Sequence, residues 1–342
     1  MEPGHWQAVR GGQTLGAEGE CAVPTFVHKP VLLAETLAAL APRPSGRYAD
    51  GTVGGGGHAA AVLAASAPTG RLDGCDRDAA AVAAARERLA PFAGRWEIRQ
   101  ANFTELADWV PPGSCDGVLL DLGVSSPQLD QAERGFSFQL EGPLDMRMDT
   151  RQRRTAADIV DESSAEELAR VFWELGSERE ARRFARAIVQ DRAHRRFETT
   201  RQLAELIERL APRHGKKAHP ATRVFQALRI AVNDEIGSLQ KGLAAAAALL
   251  RPGGRLAVIT FHSLEDRVVK DFGRARTRDY TFTGGVDVPE LREPRTPDLK
   301  WINRKAVKPG AAEVAENPRS RSAQLRVLER LSDNGQQVSW AG

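Results

Sequence analysis

The stretch DGTVGGGGH, residues 50 to 58, places four consecutive glycines between an Asp-Gly-Thr sequence and a histidine. Glycine has no Cβ, so such a run lets the main chain turn through positive φ or lets a ligand lie directly against it. The preceding residues, RYADG, are typical of a short strand, and the following HAAAVLAASA is rich in strong helix formers. A glycine loop between a strand and a helix is where α/β sheets bind ligands, which favours a binding loop over a flexible linker.

The residues around this loop restrict the kind of ligand. A nucleoside triphosphate loop needs GxxxxGK[ST], but no lysine or arginine lies between Arg47 and Arg71. A dinucleotide fingerprint, GxGxxG, fails because its last position falls on Ala59. A cofactor that has a ribose and an adenine but no phosphates remains, namely S-adenosylmethionine.

Residues at the ends of the next predicted strands fit that cofactor. Asp76 can accept hydrogen bonds from both ribose hydroxyls, and Phe103, next to Asn102, can stack on adenine. Asp121 follows the fourth strand, at the edge of the crevice where the transferred methyl group would lie. Each has a structural alternative, a helix cap for the two aspartates and a core position for the phenylalanine.

The end of the glycine run is expected to open a helix. The backbone of Gly56, Gly57 and His58 would then face the methionine carboxylate of the cofactor, because a helix N-terminus attracts anions.

Strand-like and helix-like segments alternate over the first part of the chain, which predicts a doubly wound parallel α/β sheet with helices on both faces. The predicted strands are RYADGT (47–52), GRLDGCDRD (70–78), WEIRQANF (96–103) and DGVLLDLG (116–123). A helix, a Pro-Gly-Gly turn and a strand resume the pattern after residue 233, and SAQLRVLERL is expected to form a final edge strand.

Between these two parts the spacing of apolar residues is helical and no convincing strand occurs. We therefore predict a disordered extension (1–24), a sheet domain made of 25–124 and 234–342, and an inserted all-helical domain (125–233). Residues 170 to 230 contain fifteen Lys or Arg against seven Asp or Glu, although the whole chain has a net charge of only +3. That asymmetry indicates a polyanionic partner, unless the arginines simply form a solvated helix face.

Composition excludes several other classes of protein. The chain is 42% hydrophobic and 27% charged, with no signal-peptide core and no segment long and apolar enough for a membrane span, so we expect a cytoplasmic protein. Its three cysteines are far apart, and His214 and His219 lack acidic or sulfur neighbours. We therefore expect no disulfide framework and no metal.

Several longer strings resemble those of one enzyme family. They are HKPVLL, DGTVGGGGH, LLDLGVSSPQLDQAERGFSF, GPLDMRMD, HPATRVFQALRIAVNDE, GGRLAVITFHSLEDRVVK and ENPRSRSAQLRV, and they extend from about residue 28 to 330. They are similar to the bacterial small-subunit ribosomal RNA cytosine-N4 methyltransferase family, the MraW type. The chain departs from that pattern in its glycine-rich N-terminal extension and at Ala59, where serine is expected.

The resemblance implies a Rossmann-like methyltransferase that transfers a methyl group from S-adenosylmethionine to the N4 amine of a decoding-centre cytosine in 16S rRNA. The implied partner is 16S rRNA within the small ribosomal subunit, with no DNA and no membrane, and the sequence is compatible with a homodimer. The cofactor contacts carried over by motif are Gly56, Gly57, His58, Asp76, Phe103, Asp121 and Gln128. The basic helical domain then resembles an rRNA-recognition domain.

Asp121, or a backbone carbonyl in DLGVSS, is the candidate acceptor for the amine N–H groups, and solvent remains an alternative acceptor of the proton. Ser125 and Ser126 could orient the base or simply form a turn. The target base must leave its stack, and Phe136 or Phe138 could hold it, although core burial is the alternative.

Several basic residues are further candidates for substrate contact. Arg134 could help to hold the base, and His262 could contact RNA or cap the next helix. Arg223 and the cluster of Arg182, Arg183 and Arg186 are expected to contact phosphates.

Two other functions compete with this interpretation. A DNA amino-methyltransferase would carry an Asp/Asn-Pro-Pro-aromatic motif after the fourth strand, whereas this chain has DLGVSSPQ. A non-catalytic RNA-binding or assembly factor could retain the fold as a scaffold, and weak cofactor binding would reveal it.

Overall fold

The structure is a computed structural model that describes residues 30–211, 219–282 and 287–332. The predicted disordered extension, 1–24, lies outside the described residues. The strands described are β1 (Arg47–Asp50), β2 (Arg71–Asp76), β3 (Trp96–Gln100), β4 (Cys115–Asp121), β5 (Leu250–Thr260), β6 (Tyr280–Phe282), β7 (Arg292–Pro294), β8 (Leu299–Trp301) and β9 (Gln324–Arg330).

The α-helices of the same residues are α1 (Leu33–Leu40), α2 (Gly57–Ala65), α3 (Ala79–Leu89), α4 (Ser126–Asp130), α5 (Ala156–Glu162), α6 (Ala165–Glu174), α7 (Ala181–Arg192), α8 (Thr200–Leu210), α9 (Thr222–Asn233), α10 (Glu235–Leu249), α11 (Ser263–Thr277) and α12 (Ala311–Glu316). A 3-10 helix, Phe103–Asp108, joins β3 to β4. In this described part of the chain, no helix is both long enough and apolar enough to span a bilayer.

Seven strands form the main sheet in the order β3-β2-β1-β4-β5-β9-β8. The first five are parallel to one another, and β9 runs antiparallel to both β5 and β8. The predicted α/β sheet is therefore confirmed. Because the parallel strands share one direction, Asp50, Asp76 and Asp121 all end their strands at the same edge.

Two details of the sheet differ from the sequence predictions. The segment SAQLRVLERL contains β9, which is an internal strand and not the edge, because β8 pairs with its outer side. The predicted Pro-Gly-Gly turn lies inside β5, where the pairing with β4 shifts register between Cys115 and Gly117. Gly253 takes a φ of 78° at this irregularity, a conformation that favours glycine.

Apolar layers cover both faces of the sheet. Along β4, Leu119 belongs to the layer beneath α2 and α3, whereas Val118 and Leu120 belong to the layer beneath α10. This alternation follows from the two-residue repeat of a strand. With both faces covered, the polar residues at the strand ends are left as the chemically active edge of the sheet.

The helices between β4 and β5 enclose an apolar cluster of their own. Phe172 of α6, Phe184 of α7, Leu203 of α8 and Leu228 of α9 are almost wholly buried in it. No strand occurs in the described residues from 125 to 211 or from 219 to 233. The boundaries of an inserted domain, 125–233, remain a prediction.

Candidate cofactor site

A cavity lies at the carboxyl ends of β1, β2 and β4, where the strand order reverses, which is the usual ligand position in such sheets. Six of the lining residues lie at the ends of these strands or directly after them: Gly51, Thr52, Asp76, Arg77, Leu122 and Gly123. The other lining residues are Ala81, Phe103, Ser125, Gln128, Met148, Glu235, Leu239 and Glu265.

Asp76 is held rigidly in this cavity by the backbone. Its Oδ2 accepts a hydrogen bond of 2.9 Å from the N–H of Gly54, and its Oδ1 accepts one of 2.9 Å from the N–H of Asp78. Each carboxylate oxygen keeps a further lone pair for a ligand hydroxyl. Burial raises the pKa of Asp76 to about 6, because the backbone hydrogen bonds only partly offset the loss of water.

Phe103 forms an apolar wall of the cavity and is only 8% exposed. The ring packs so closely on α10 that a Cβ built on Gly242 would lie 2.2 Å from two of its carbons. The Arg77 guanidinium lies 5.8 Å from the ring centroid. Its nitrogens donate to the carbonyl of Asn233 and to the hydroxyl of Ser238, so the planar guanidinium is fixed beside the Phe103 ring.

Replacing Gly242 with alanine is expected to push the Phe103 ring into the cavity. Overpacking of this kind costs about 1–3 kcal/mol, so we expect a lower melting temperature together with weaker cofactor binding. Thermal melting with and without S-adenosylmethionine measures both. The control is Ala248→Gly, at an exposed position of the same helix. A similar loss of affinity for S-adenosylmethionine in that variant would contradict the steric explanation.

Gln128 is buried and held at both ends of its amide. Its Oε1 accepts from the backbone N–H of Ser125 at 3.0 Å, and its Nε2 donates to Asp78 Oδ2 at 2.9 Å. Arg134 donates to the same Asp78 oxygen at 2.6 Å and also to the carbonyl oxygens of Arg147 and Met148. Arg134 therefore supports Gln128 of the cavity wall through Asp78, and its role in holding a base remains a prediction.

His58 and Asp121 lie together beside the glycine loop, with 3.5 Å between His58 Nε2 and Asp121 Oδ2. Burial alone would lower the pKa of His58, but the carboxylates of Asp121 and Asp50 outweigh it and raise that pKa. Burial also raises the pKa of Asp50 to about 7. The backbone N–H of Asp121 donates to Thr52 Oγ1 at 2.6 Å, so the end of β4 is tied to the loop.

The glycine loop packs against neighbouring residues of the protein more closely than the sequence suggested. A Cβ on Gly57 would lie 2.4 Å from Pro30 Cγ, and one on Gly56 would lie 3.1 Å from Ala85 Cα. Gly56, with a φ of 76°, is the N-cap of α2. The two glycines thus allow α2 to pack closely on its neighbours. Gly51 and Thr52, and not residues 56–58, line the cavity. Direct contacts of residues 56–58 with the cofactor remain a prediction.

Glu235, His262 and Glu265 bring their ligand atoms within 4.8 Å of one another beside the cavity. Both Glu235 oxygens accept from Arg229 at 2.7 Å, and His262 Nδ1 accepts from the Glu265 N–H at 3.3 Å. Burial would raise the pKa of Glu265, but His262 and Arg229, with the backbone N–H of Phe261, lower it. The charges of these three residues are therefore compensated by their contacts with one another and with Arg229. His262 is the N-cap of α11.

The remaining predicted substrate residues lie away from the cavity. Phe136 is 7% exposed within the helical core, which is the core position that the sequence left open as the alternative to base holding. Phe138 stacks on His219 at 4.5 Å and meets Phe225 edge-on at 5.0 Å. Arg223 is exposed and donates to the Ser177 carbonyl at 3.2 Å.

Sequence reasoning missed Arg77, Met148, Glu235 and Glu265 as cavity residues. Three of them stand inside strings that carry the family resemblance: Met148 in GPLDMRMD, Glu235 in HPATRVFQALRIAVNDE and Glu265 in the string that contains FHSLEDR. Their presence in these strings was a usable signal.

The charges of the cavity fit S-adenosylmethionine. Asp76, Glu235 and Glu265 line it with carboxylates, of which Glu235 is paired with Arg229, and Arg77 adds one guanidinium. The remaining carboxylates favour the sulfonium and ammonium groups of the cofactor over the phosphates of a dinucleotide. Phe103, Leu122, Met148 and Leu239 supply apolar surface for an adenine ring.

Comparison with known proteins decides the family. The model of the MraW methylase family matches residues 25–331. The chain belongs to the MraW methylase family. The predicted α/β fold class and the cofactor S-adenosylmethionine are thereby confirmed.

Curated relatives agree with that membership. The chain is 51% identical over 311 residues to the ribosomal RNA small subunit methyltransferase H of Symbiobacterium thermophilum, covering 90% of this chain and 97% of that protein. It is also 51% identical over 312 residues to the protein of the same name from Geobacter sulfurreducens, covering 90% and 100%. A crystal structure of a putative rRNA methylase from Clostridium thermocellum is similar with a TM-score of 0.42 at 10% identity, covering 89% of this chain and 100% of that one. That score is too low to support a conclusion.

Proposed function

We propose that this methylase transfers a methyl group from S-adenosylmethionine to the N4 amine of a decoding-centre cytosine in 16S rRNA, in the small ribosomal subunit in the cytoplasm. The observation that carries the substrate class is the 51% identity, over nine-tenths of the chain, to relatives named as ribosomal RNA small subunit methyltransferases. The choice of cytosine N4 rests on the motif resemblance.

Residues of the cavity would hold the cofactor in a defined orientation. Asp76 would accept from the ribose hydroxyls, and Phe103 would pack against the adenine. Gln128, fixed by Asp78 and Ser125, would close the adenine side. The cofactor supplies a methyl group on a sulfonium, a good electrophile for a nitrogen nucleophile.

Asp121 is the proposed catalytic residue. A cytosine amine is a weak nucleophile because its lone pair is conjugated with the ring, so a hydrogen-bond acceptor for its N–H groups favours the pyramidal nitrogen that reacts. Asp121 Oδ1 is buried and makes no hydrogen bond to the described residues, so it has acceptor capacity to spare. His58, held close to the other oxygen, would keep the carboxylate oriented. As the new carbon–nitrogen bond formed, the bond between the methyl carbon and the sulfonium would break to leave a thioether, and one amine proton would pass to Asp121 or to solvent.

The helical face carries the arginines that would bind the RNA backbone. Arg182, Arg183 and Arg186 are exposed on α7, and Arg223 is exposed on α9. Each phosphate contact that is removed is expected to reduce the slope of log affinity against log salt by about 0.7–0.9. His262, at the first turn of α11 next to the cavity, is a further proposed substrate contact.

The direct test is methyl transfer from labelled S-adenosylmethionine to small ribosomal subunits from cells that lack this gene, followed by nuclease digestion and nucleoside chromatography. We expect label in N4-methylcytidine from 16S rRNA. Subunits from cells that retain the gene are the matched control and should accept no label at that position. Tight cofactor binding without label in ribosomal RNA would overturn the substrate assignment, and label in DNA would favour a DNA amino-methyltransferase.

A further inference from the structure

Trp173, on α6, is the most exposed large apolar side chain among the described residues, with 61% of its surface accessible. Its neighbour Phe172 is fully buried in the helical core, so the helix that carries the indole is firmly anchored. Arg170 lies three residues earlier and is exposed, which places it on the same face of α6. An aromatic plane next to a guanidinium on a rigid support is a stacking surface that the protein itself leaves open.

The indole borders a groove between α6 and the start of α7 whose lining is strongly basic. Five arginines line it against two glutamates, Glu166 and Glu180. The arginines are Arg170, Arg179, Arg182, Arg183 and Arg186. Of these, only Arg183 has a carboxylate partner within 4 Å in the described part of the chain, at 3.6 Å from Glu180. The groove therefore presents uncompensated positive charge to an external anion.

A second concave surface begins at the same indole and extends to α11. Trp173 and Arg179 line both surfaces, and Arg223 and Arg267 line the second one. Arg267 belongs to α11, two residues after Glu265, which lines the cofactor cavity. Arg267 is exposed whereas Glu265 is buried, so the basic path follows the outer side of the helix whose inner side borders the cofactor cavity.

We propose that Trp173 stacks on an unpaired nucleotide of the RNA that lies outside the cofactor cavity, while Arg179 and the adjoining arginines bind the phosphates on either side. The inference rests on the proposed RNA substrate and adds a second base subsite to it. An acidic protein would also be attracted by the arginines, but a bare indole at the junction of two basic grooves suits a base better, because every base offers a π face for stacking.

Binding of unpaired RNA tests the subsite without any methyl transfer. Fluorescence anisotropy with a labelled oligouridine, at fixed salt and with the full-length chain, compares the wild type with Trp173→Ala and Trp173→Phe. We expect alanine to weaken binding roughly 5- to 150-fold, which corresponds to the loss of one stacked base, and phenylalanine to restore most of it. Leu291→Ala, which removes another exposed apolar side chain, should leave the affinity unchanged.

Labelled duplex RNA and labelled polyglutamate separate stacking from simple attraction of charge. The alanine variant should bind both as the wild type does, because neither probe offers an unpaired base. Equal weakening for all three probes, or unchanged binding of oligouridine by Trp173→Ala, would overturn the proposal, and so would tight binding of polyglutamate that depends on Trp173. Failure of the wild type to methylate ribosomal RNA would overturn the proposed function, while the Trp173-dependent binding of oligouridine would stand.

Discussion

Replacing Asp121 with asparagine is expected to lower the rate of methyl transfer by roughly two to three powers of ten. The amide keeps the shape of the carboxylate but loses the negative charge that would stabilise the reacting amine, and removal of one such preorganised group typically has this effect. Single-turnover transfer to small subunits measures the rate, and calorimetric titration with S-adenosylmethionine measures affinity. We expect the rate to fall while the affinity changes much less.

The matched control is Asp116→Asn, a substitution at the other end of the same strand. Asp116 accepts hydrogen bonds from the backbone N–H of Arg47 and from Arg43, far from the cavity edge. It should leave the rate of methyl transfer unchanged, although some loss of thermal stability is expected. A defect of Asp121→Asn confined to cofactor affinity would contradict the catalytic role and leave only the predicted cofactor contact.

Replacing Asp76 with asparagine is expected to weaken S-adenosylmethionine binding by roughly 10- to 150-fold. The carboxylate would accept from ribose hydroxyls, and a hydrogen bond to a charged group contributes about 1.5–3 kcal/mol. Isothermal titration calorimetry measures the loss directly. Asp108→Asn, an exposed acidic residue outside the cavity, controls for the change in net charge.

The same variant should also change the pH dependence of cofactor binding. Burial raises the pKa of Asp76 to about 6 in the free protein, and the cationic cofactor favours the charged carboxylate. In the wild type, the dissociation constant should therefore rise as the pH falls below about 6. The Asp76→Asn variant should lose that step, and a step near pH 7 that persists would belong to Asp50 or to its neighbour His58. An unchanged profile would show that Asp76 does not contact the cofactor.

Much of the sheet could be predicted from the sequence, because a strand that is buried on both faces consists of a short run of apolar residues between two turns. The segments that contain β1 to β4 were located in this way. The short strand β8 was not, because the three residues Leu299–Trp301 are too few for a periodic pattern. Missing β8 also made β9 look like the edge, since its outer partner is visible only in three dimensions.

The site could be predicted in part for a related reason. Asp76 and Phe103 follow strands of one parallel sheet, so topology alone brings them to the same cavity. Glu235 and Glu265 belong to helices whose place depends on how they dock, which local sequence does not encode. The pairing of Arg134 with Asp78 could not be predicted either, because Asp78 is 56 positions earlier in the chain.

The helices between β4 and β5 also bear on how the protein is made. During synthesis β4 emerges long before its neighbour β5, so one side of it has no strand to pair with, and an open edge of that kind invites pairing with other chains. The intervening segment has a hydrophobic core of its own. If that core forms first, the free loop between the two strands shortens, and the entropy needed to close it falls. Leu122, just before the predicted insertion, and Glu235, just after it, both line the cavity, so the cofactor site would be complete only after the segment between them has folded.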